Sequence, residues 1–158
     1  MTTAKDKEKD QRRTRGNQFQ RWIESWILKQ YPDAKIHNQL SRAQSYWDKK
    51  EGKFKWFSSR NDLWGCIDLA VILPHSGKPL FIQATGWTHV QDKLDDMSVV
   101  PWDFNHVTVQ LWQKKEPGRV VIQQMYKDSD GKFALHPIAE VKRGKYIRIS
   151  HKESNNEL

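Results

Sequence analysis

Cys66-Ile67-Asp68-Leu69-Ala70-Val71-Ile72-Leu73, followed by Pro79-Leu80-Phe81-Ile82-Gln83-Ala84-Thr85, is the stretch on which the fold turns. Both runs are apolar almost throughout, and Pro74-His75-Ser76-Gly77-Lys78 between them has the residues of a turn. They read as adjacent strands of an antiparallel pair. A strand with one wet face alternates polar and apolar residues, whereas continuous apolar character implies cover on both faces. The pair therefore belongs at the centre of a sheet with helices against it.

Upstream, Phe19, Trp22, Ile23, Trp26 and Ile27 fall at i, i+3, i+4, i+7 and i+8, one face of an α-helix. The helix is expected over 17–30, with Asn17 as N-cap and Pro32 disfavouring helical geometry at Tyr31. Downstream, Val90, Leu94 and Met97 give a second helical face over 88–98, closed by Val99-Val100-Pro101. Extended segments are expected at 34–38, at His106–Trp112 and at Val120–Tyr126, with short edge strands at Lys132–Ile138 and Lys145–Ile149. The expected architecture is a single α/β domain over 16–150, with a mixed central β-sheet flanked by helices. Residues 1–15 (MTTAKDKEKDQRRTR) offer almost no apolar side chain to repay the entropy of ordering, so a disordered basic tail is expected there, and a flexible C-terminus at 151–158.

The single cysteine, Cys66, excludes an internal disulfide and a multi-cysteine zinc site, and with them goes the expectation of a reducing, cytoplasmic setting. No run approaches the roughly 20 apolar residues of a membrane span, and charges stand where a signal peptide would be apolar, so no membrane partner is expected. Lys plus Arg number 27 against 19 Asp plus Glu, a formal charge of +8, which points to a polyanionic partner. DNA is the first expectation, with RNA also compatible.

From Tyr46 to Phe57 the aromatics Tyr46, Trp47, Phe54, Trp56 and Phe57 interleave with Lys49, Lys50, Lys53 and Lys55, in a hairpin expected to turn at Glu51-Gly52. Such a surface can stack bases and grip phosphates; a plain surface hairpin with solvated lysines is the alternative. Arg60, Lys114, Lys115 and Arg119 extend the basic set that would track a nucleic-acid backbone. The eight Trp suit core and stacking roles alike.

A polar side chain in an apolar strand is costly unless paired or functional, which singles out Asp68 and Gln83. Gln83 and Thr85 share one strand face, and Asp68 on the neighbouring strand can meet them there. Oxygen ligands of this kind suit Mg2+ or Mn2+, and Glu24, at the border of the first helix's apolar stripe, can add a carboxylate. Each has a simpler reading: Asp68 as a structural acid bonded to backbone amides or Arg60, and Glu24 as a solvated surface residue. Asp62, in Asn61-Asp62-Leu63-Trp64-Gly65, is a further candidate or the cap of a turn.

In their order these residues resemble the PD-(D/E)XK nucleases, in particular the small Holliday-junction-resolvase-like members of phages and archaea. The resemblance runs from about Gly16 to Met125: Gly16 and Glu24, then Asp68 in Gly65-Cys66-Ile67-Asp68-Leu69-Ala70-Val71-Ile72-Leu73, then Gln83-Ala84-Thr85, then a helix and a strand. The family's second half-motif is an acid, any residue, then lysine, and here Gln83 and Thr85 occupy those positions. Glutamine still offers a ligand oxygen, but threonine cannot supply the ammonium that orients water and offsets negative charge. The resemblance implies that Lys93, on the following helix, takes that place; a snorkelling side chain is the other reading.

Other chemistries lack their motifs. The six histidines show no i, i+4 pair, there is no GxSxG elbow and no Walker-type loop, and Cys66 reads as a small buried hydrophobe. The expected function is that of a metal-dependent DNA endonuclease, phage-encoded members of the family and branched or junction DNA included, with Asp68, Gln83, Lys93 and Glu24 as the site. Action on a symmetric junction favours a homodimer. A catalytically inactive nucleic-acid-binding protein on the same fold is the alternative, and a protein-binding adaptor or inhibitor is a further one.

Overall fold

The computed structural model of the chain describes residues 3–40, 42–59 and 62–149, with side chains at all of these except 42–44 and 56–59. Its elements are α1 (Ala4–Gln30), β1 (Lys35–Asn38), β2 (Arg42–Asp48), β3 (Lys53–Ser59), β4 (Leu69–Ile72), β5 (Leu80–Gly86), α2 (Val90–Met97), β6 (Thr108–Glu116), β7 (Arg119–Lys127), β8 (Phe133–Lys142) and β9 (Lys145–Arg148). Seven strands form one sheet in the order β1-β4-β5-β6-β7-β8-β9, and β2 and β3 form a sheet of their own. Only β5 and β6 pair in parallel; every other neighbouring pair is antiparallel. The chain is thus a single domain of mixed α/β content with a mostly antiparallel sheet.

A parallel pair needs a crossover between its strands, and α2 supplies it between β5 and β6. The period of two along β5 then divides the core. Leu80 and Ile82 join Ile23, Trp26 and Ile27 of α1 with Leu69, Val71, Trp112 and Ile122 on one face. Phe81 turns the other way and joins Met97, Trp102, Val109, Leu111 and Met125, with Val90 and Leu94 of α2. By the same alternation Gln83 and Thr85 point to the α2 side.

Three expectations need correction. The helix expected over 17–30 begins at Ala4, so residues 4–15 of the segment expected to be a disordered tail are helical. Thr3 and Asp6 form a capping box, Arg12 pairs with Glu8, and Arg13 pairs with Asp10 at 3.3 Å. A segment poor in apolar residues cannot build a core, but as the continuation of a docked helix it has no nucleation cost to meet, and its Ala, Lys, Glu, Gln and Arg residues favour propagation.

The strand expected from Cys66 begins only at Leu69. A bridge between Leu63 and Ile67 closes a tight turn, with Trp64 and Gly65 at positive φ (52° and 73°), and Asp68 lies between turn and strand. β8, expected as a short edge, is ten residues long and interior, and β9 is the edge. Pro137 lacks a donor for the ladder and is accommodated by the register shift opposite Ile122 and Gln123. The hairpin turn at Glu51-Gly52 stands as expected: the Asp48 carboxylate accepts the Lys50 and Glu51 N–H groups, and Gly52 has φ 61°. Among the described residues no helix is long and apolar enough to cross a membrane.

Candidate functional site

Asp68 is seated in the ladder by its own N–H, which donates to the Ile82 carbonyl at 2.9 Å. Just before it the Leu63–Ile67 turn takes the chain out of line with β5. Asp68 Oδ2 takes the place of a strand carbonyl there, accepting the Ala84 N–H at 2.8 Å. Gln83 Nε2 donates to the same oxygen at 2.8 Å and to the Ala84 carbonyl at 2.9 Å. Both donations come from the amide nitrogen, so the orientation of the Gln83 amide is set and its Oε1 is turned away. That oxygen has no hydrogen-bond partner, although Gln83 is only 2% exposed and Asp68 only 4%. Buried acceptors are nearly always satisfied, so the Gln83 oxygen is an uncommon feature of a packed interior.

Burial pushes the Asp68 carboxyl up to about 7, against the pull of the Ala84 N–H. Asp62 raises it further, by its charge and by a side-chain hydrogen bond, while the Lys93 ammonium lowers it. Asp62 and Lys93 are therefore near enough for their charges to act on Asp68. Asp62 is at once the turn residue whose carbonyl accepts the Gly65 N–H at 3.4 Å and a neighbour of the buried acid. Burial, then the charge of Asp96, pushes the Cys66 thiol up to about 11, which leaves it a buried neutral thiol and no nucleophile.

Glu24 is not part of this group. Its Oε2 accepts from Asn38 Nδ2 at 3.0 Å, and its neighbour Ile23 packs with Leu69 and Ile82 on the α1 face, whereas Gln83 points to the α2 side. The bond that Glu24 makes is thus to Asn38 and not to Asp68 or Gln83. Thr85 is buried and brings no charge.

The basic set divides. Lys49 and Lys50 are exposed at the hairpin turn, while Lys55 pairs with Asp48 at 2.9 Å and Glu51 at 3.2 Å, and Lys53 pairs with Glu51 at 3.2 Å. The Trp56 side chain and Arg60 lie outside the described residues. Arg119 bridges Glu116 at 3.3 Å and Glu140 at 2.7 Å, so its guanidinium is engaged by carboxylates where β6, β7 and β8 meet. Lys114 lies over Phe19 of α1, its ammonium 6.0 Å from the ring centroid, and Lys115 lies over Trp87 at 4.1 Å, as alternation along β6 requires.

Two exposed indoles went unread as part of the site. Trp87 follows Gly86 at the end of β5; Gln123 Nε2 donates to Gln113 Oε1 at 3.0 Å, and Gln113 Nε2 donates to the Trp87 carbonyl at 3.2 Å, fixing that loop. Trp64 sits edge-on to Phe81 and Trp102, each at 5.7 Å, two residues beyond Asp62. In both places a Trp stands beside a turn Gly, which was the available signal.

The oxygens in the neighbourhood of Asp68 are hard donors, the Asp68 and Asp62 carboxylates and the Gln83 amide, whose Oε1 faces away from Asp68. Among the described residues no three His, Cys, Asp or Glu side chains form a group that could hold a metal ion. An ion such as Mg2+ or Mn2+ needs only one or two protein carboxylates and keeps several waters. Comparison with known proteins returns no matching family model, no matching curated protein and no matching solved structure.

Proposed function

We propose that the chain is a divalent-metal-dependent nuclease of restriction-endonuclease-like architecture, hydrolysing DNA phosphodiester bonds at Asp68, Asp62, Gln83 and Lys93. The observation that carries this reading is the buried, unpartnered Gln83 Oε1 beside a carboxylate. Asp68 and Asp62, with Gln83 Oε1, would hold Mg2+ or Mn2+. A bound ion of this kind polarises a phosphodiester and makes its water more acidic. Lys93 sits on the helix that follows β5 and brings to Asp68 the positive charge that Thr85 does not. Trp87 and Lys115 flank the end of β5, where they can receive a base and a phosphate. The formal +8 draws in the polyanion. Action on a symmetric junction would call for a homodimer.

The test compares wild type with Asp68→Asn on plasmid and branched DNA in Mg2+ and in Mn2+. Cleavage by wild type that disappears in the variant is the expected result. DNA binding with cleavage in neither protein would instead support a non-catalytic nucleic-acid-binding protein on the same fold. The buried Thr85 at the position of the missing ammonium is what favours that second reading.

A further inference from the structure

We infer that the β2–β3 hairpin is a base-stacking arm whose Trp47–Phe54 face takes unpaired bases of DNA. This rests on the nucleic-acid reading above and adds to it the class of substrate.

Among the described residues the two strands pair with each other in a sheet separate from the seven-stranded one. In their register Trp47 faces Phe54, with ring centroids 5.1 Å apart at 74°. Trp47 is 52% exposed and Phe54 64%. The period of two puts Tyr46, Asp48, Lys53 and Lys55 on the other face of the ribbon, where Asp48 and Glu51 tie Lys53 and Lys55 together. The ribbon is therefore sorted, among the described residues, into a face whose ions are paired with one another and a face on which Trp47 and Phe54 stay more than half exposed.

Charge and size select the occupant. Lys49 and Lys50 stand exposed at the turn beside the aromatic pair, and the ribbon as a whole carries four lysines against Asp48 and Glu51, so a second copy of the chain would bring like charges together. Two rings also fall well short of the roughly 800 Å² per partner that a stable protein interface buries. They match one or two nucleobases, whose phosphates the exposed Lys49 and Lys50 can reach. In a continuous duplex the base faces are already stacked, so the arm discriminates in favour of strands, flaps or junction points with bases free.

The experiment measures affinity of the full chain, in EDTA so that nothing is cut, for a short single strand carrying 2-aminopurine and for the blunt duplex of the same sequence. Wild type is expected to bind the single strand about tenfold tighter, with a change in 2-aminopurine fluorescence. Trp47→Ala with Phe54→Ala should lose that preference and keep duplex affinity, and Trp47→Phe with Phe54→Tyr should retain it. Should the alanine variant fail to fold, Trp47→Leu with Phe54→Leu keeps apolar bulk without rings, and the same loss is expected. Equal affinity for the two DNAs, a preference that survives removal of the rings, or a wild-type dimer that the alanine variant converts to monomer would each overturn the arm. Duplex binding with no single-strand preference sinks this inference alone, whereas binding to neither DNA sinks the nucleic-acid reading with it.

Discussion

Asp68 Oδ2 accepts two hydrogen bonds at 2.8 Å, one from the Gln83 side-chain amide and one from the Ala84 backbone N–H. The same atom therefore finishes the sheet where β4 stops short and orients the only side chain in β5 with a spare buried oxygen. Structure and chemistry are coupled at this carboxyl, and most of the expected behaviour follows from it.

The first consequence is a pH-dependent stability. Burial lifts the Asp68 carboxyl from 3.8 to about 7, so the folded state prefers the acid form. The associated stability is fully present below about pH 4, where folded and unfolded chains both hold the proton, and is lost as pH rises through about 7. Denaturant titrations of wild type should lose about 2–4 kcal/mol over that window relative to Asp68→Asn. Parallel profiles for the two proteins would refute a buried, proton-holding Asp68.

Gln83→Glu sets a second carboxylate against Asp68. Metal-free protein should be destabilised at pH 8 by about 1–3 kcal/mol, because like charges are then held together with little water. Added Mg2+ should raise the melting temperature of this variant by more than it raises that of wild type. An equal response would remove the Gln83 oxygen from the ion's ligands.

Glu24→Gln should leave cleavage within about twofold and cost about 1 kcal/mol of stability through the weakened bond to Asn38. A hundredfold loss of turnover at unchanged stability would mean that this carboxylate reaches the site after all.

Lys115→Ala should lower the slope of log affinity against log salt by about one, as expected for the loss of a phosphate contact. Arg119→Ala should leave that slope unchanged, since its guanidinium is engaged by Glu116 and Glu140. The opposite pattern would reverse the assignment of the two residues.

Trp26 donates from Nε1 to the Gly144 carbonyl at 2.9 Å, stacks near Tyr146 and meets Trp112 edge-on. Trp26→Phe keeps a ring and loses the donor, so about 1–2 kcal/mol of stability should go. Hydrogen exchange should report faster opening of the β8–β9 turn, and unchanged protection there would show that the indole bond does not hold it.

Much of the architecture was legible before any coordinates. The stripe from Phe19 to Ile27, the β4–β5 pair, α2, the turn at Glu51-Gly52 and the meeting of Asp68 with Gln83 all follow from periods of 3.6 and 2 and from turn chemistry. An apolar run looks alike in a strand and in a closed turn, so the bridge that ends at Ile67 stayed hidden, as did the passage of β8 through Pro137. Periodicity is a local property: it assigns side chains to faces of their own element. How a helix is rotated and seated on a sheet is a sum over many weak contacts between residues far apart in the chain. Those contacts turned Glu24 toward Asn38 and left Asp62 and Lys93 where their charges act on Asp68, and no local pattern encodes that outcome.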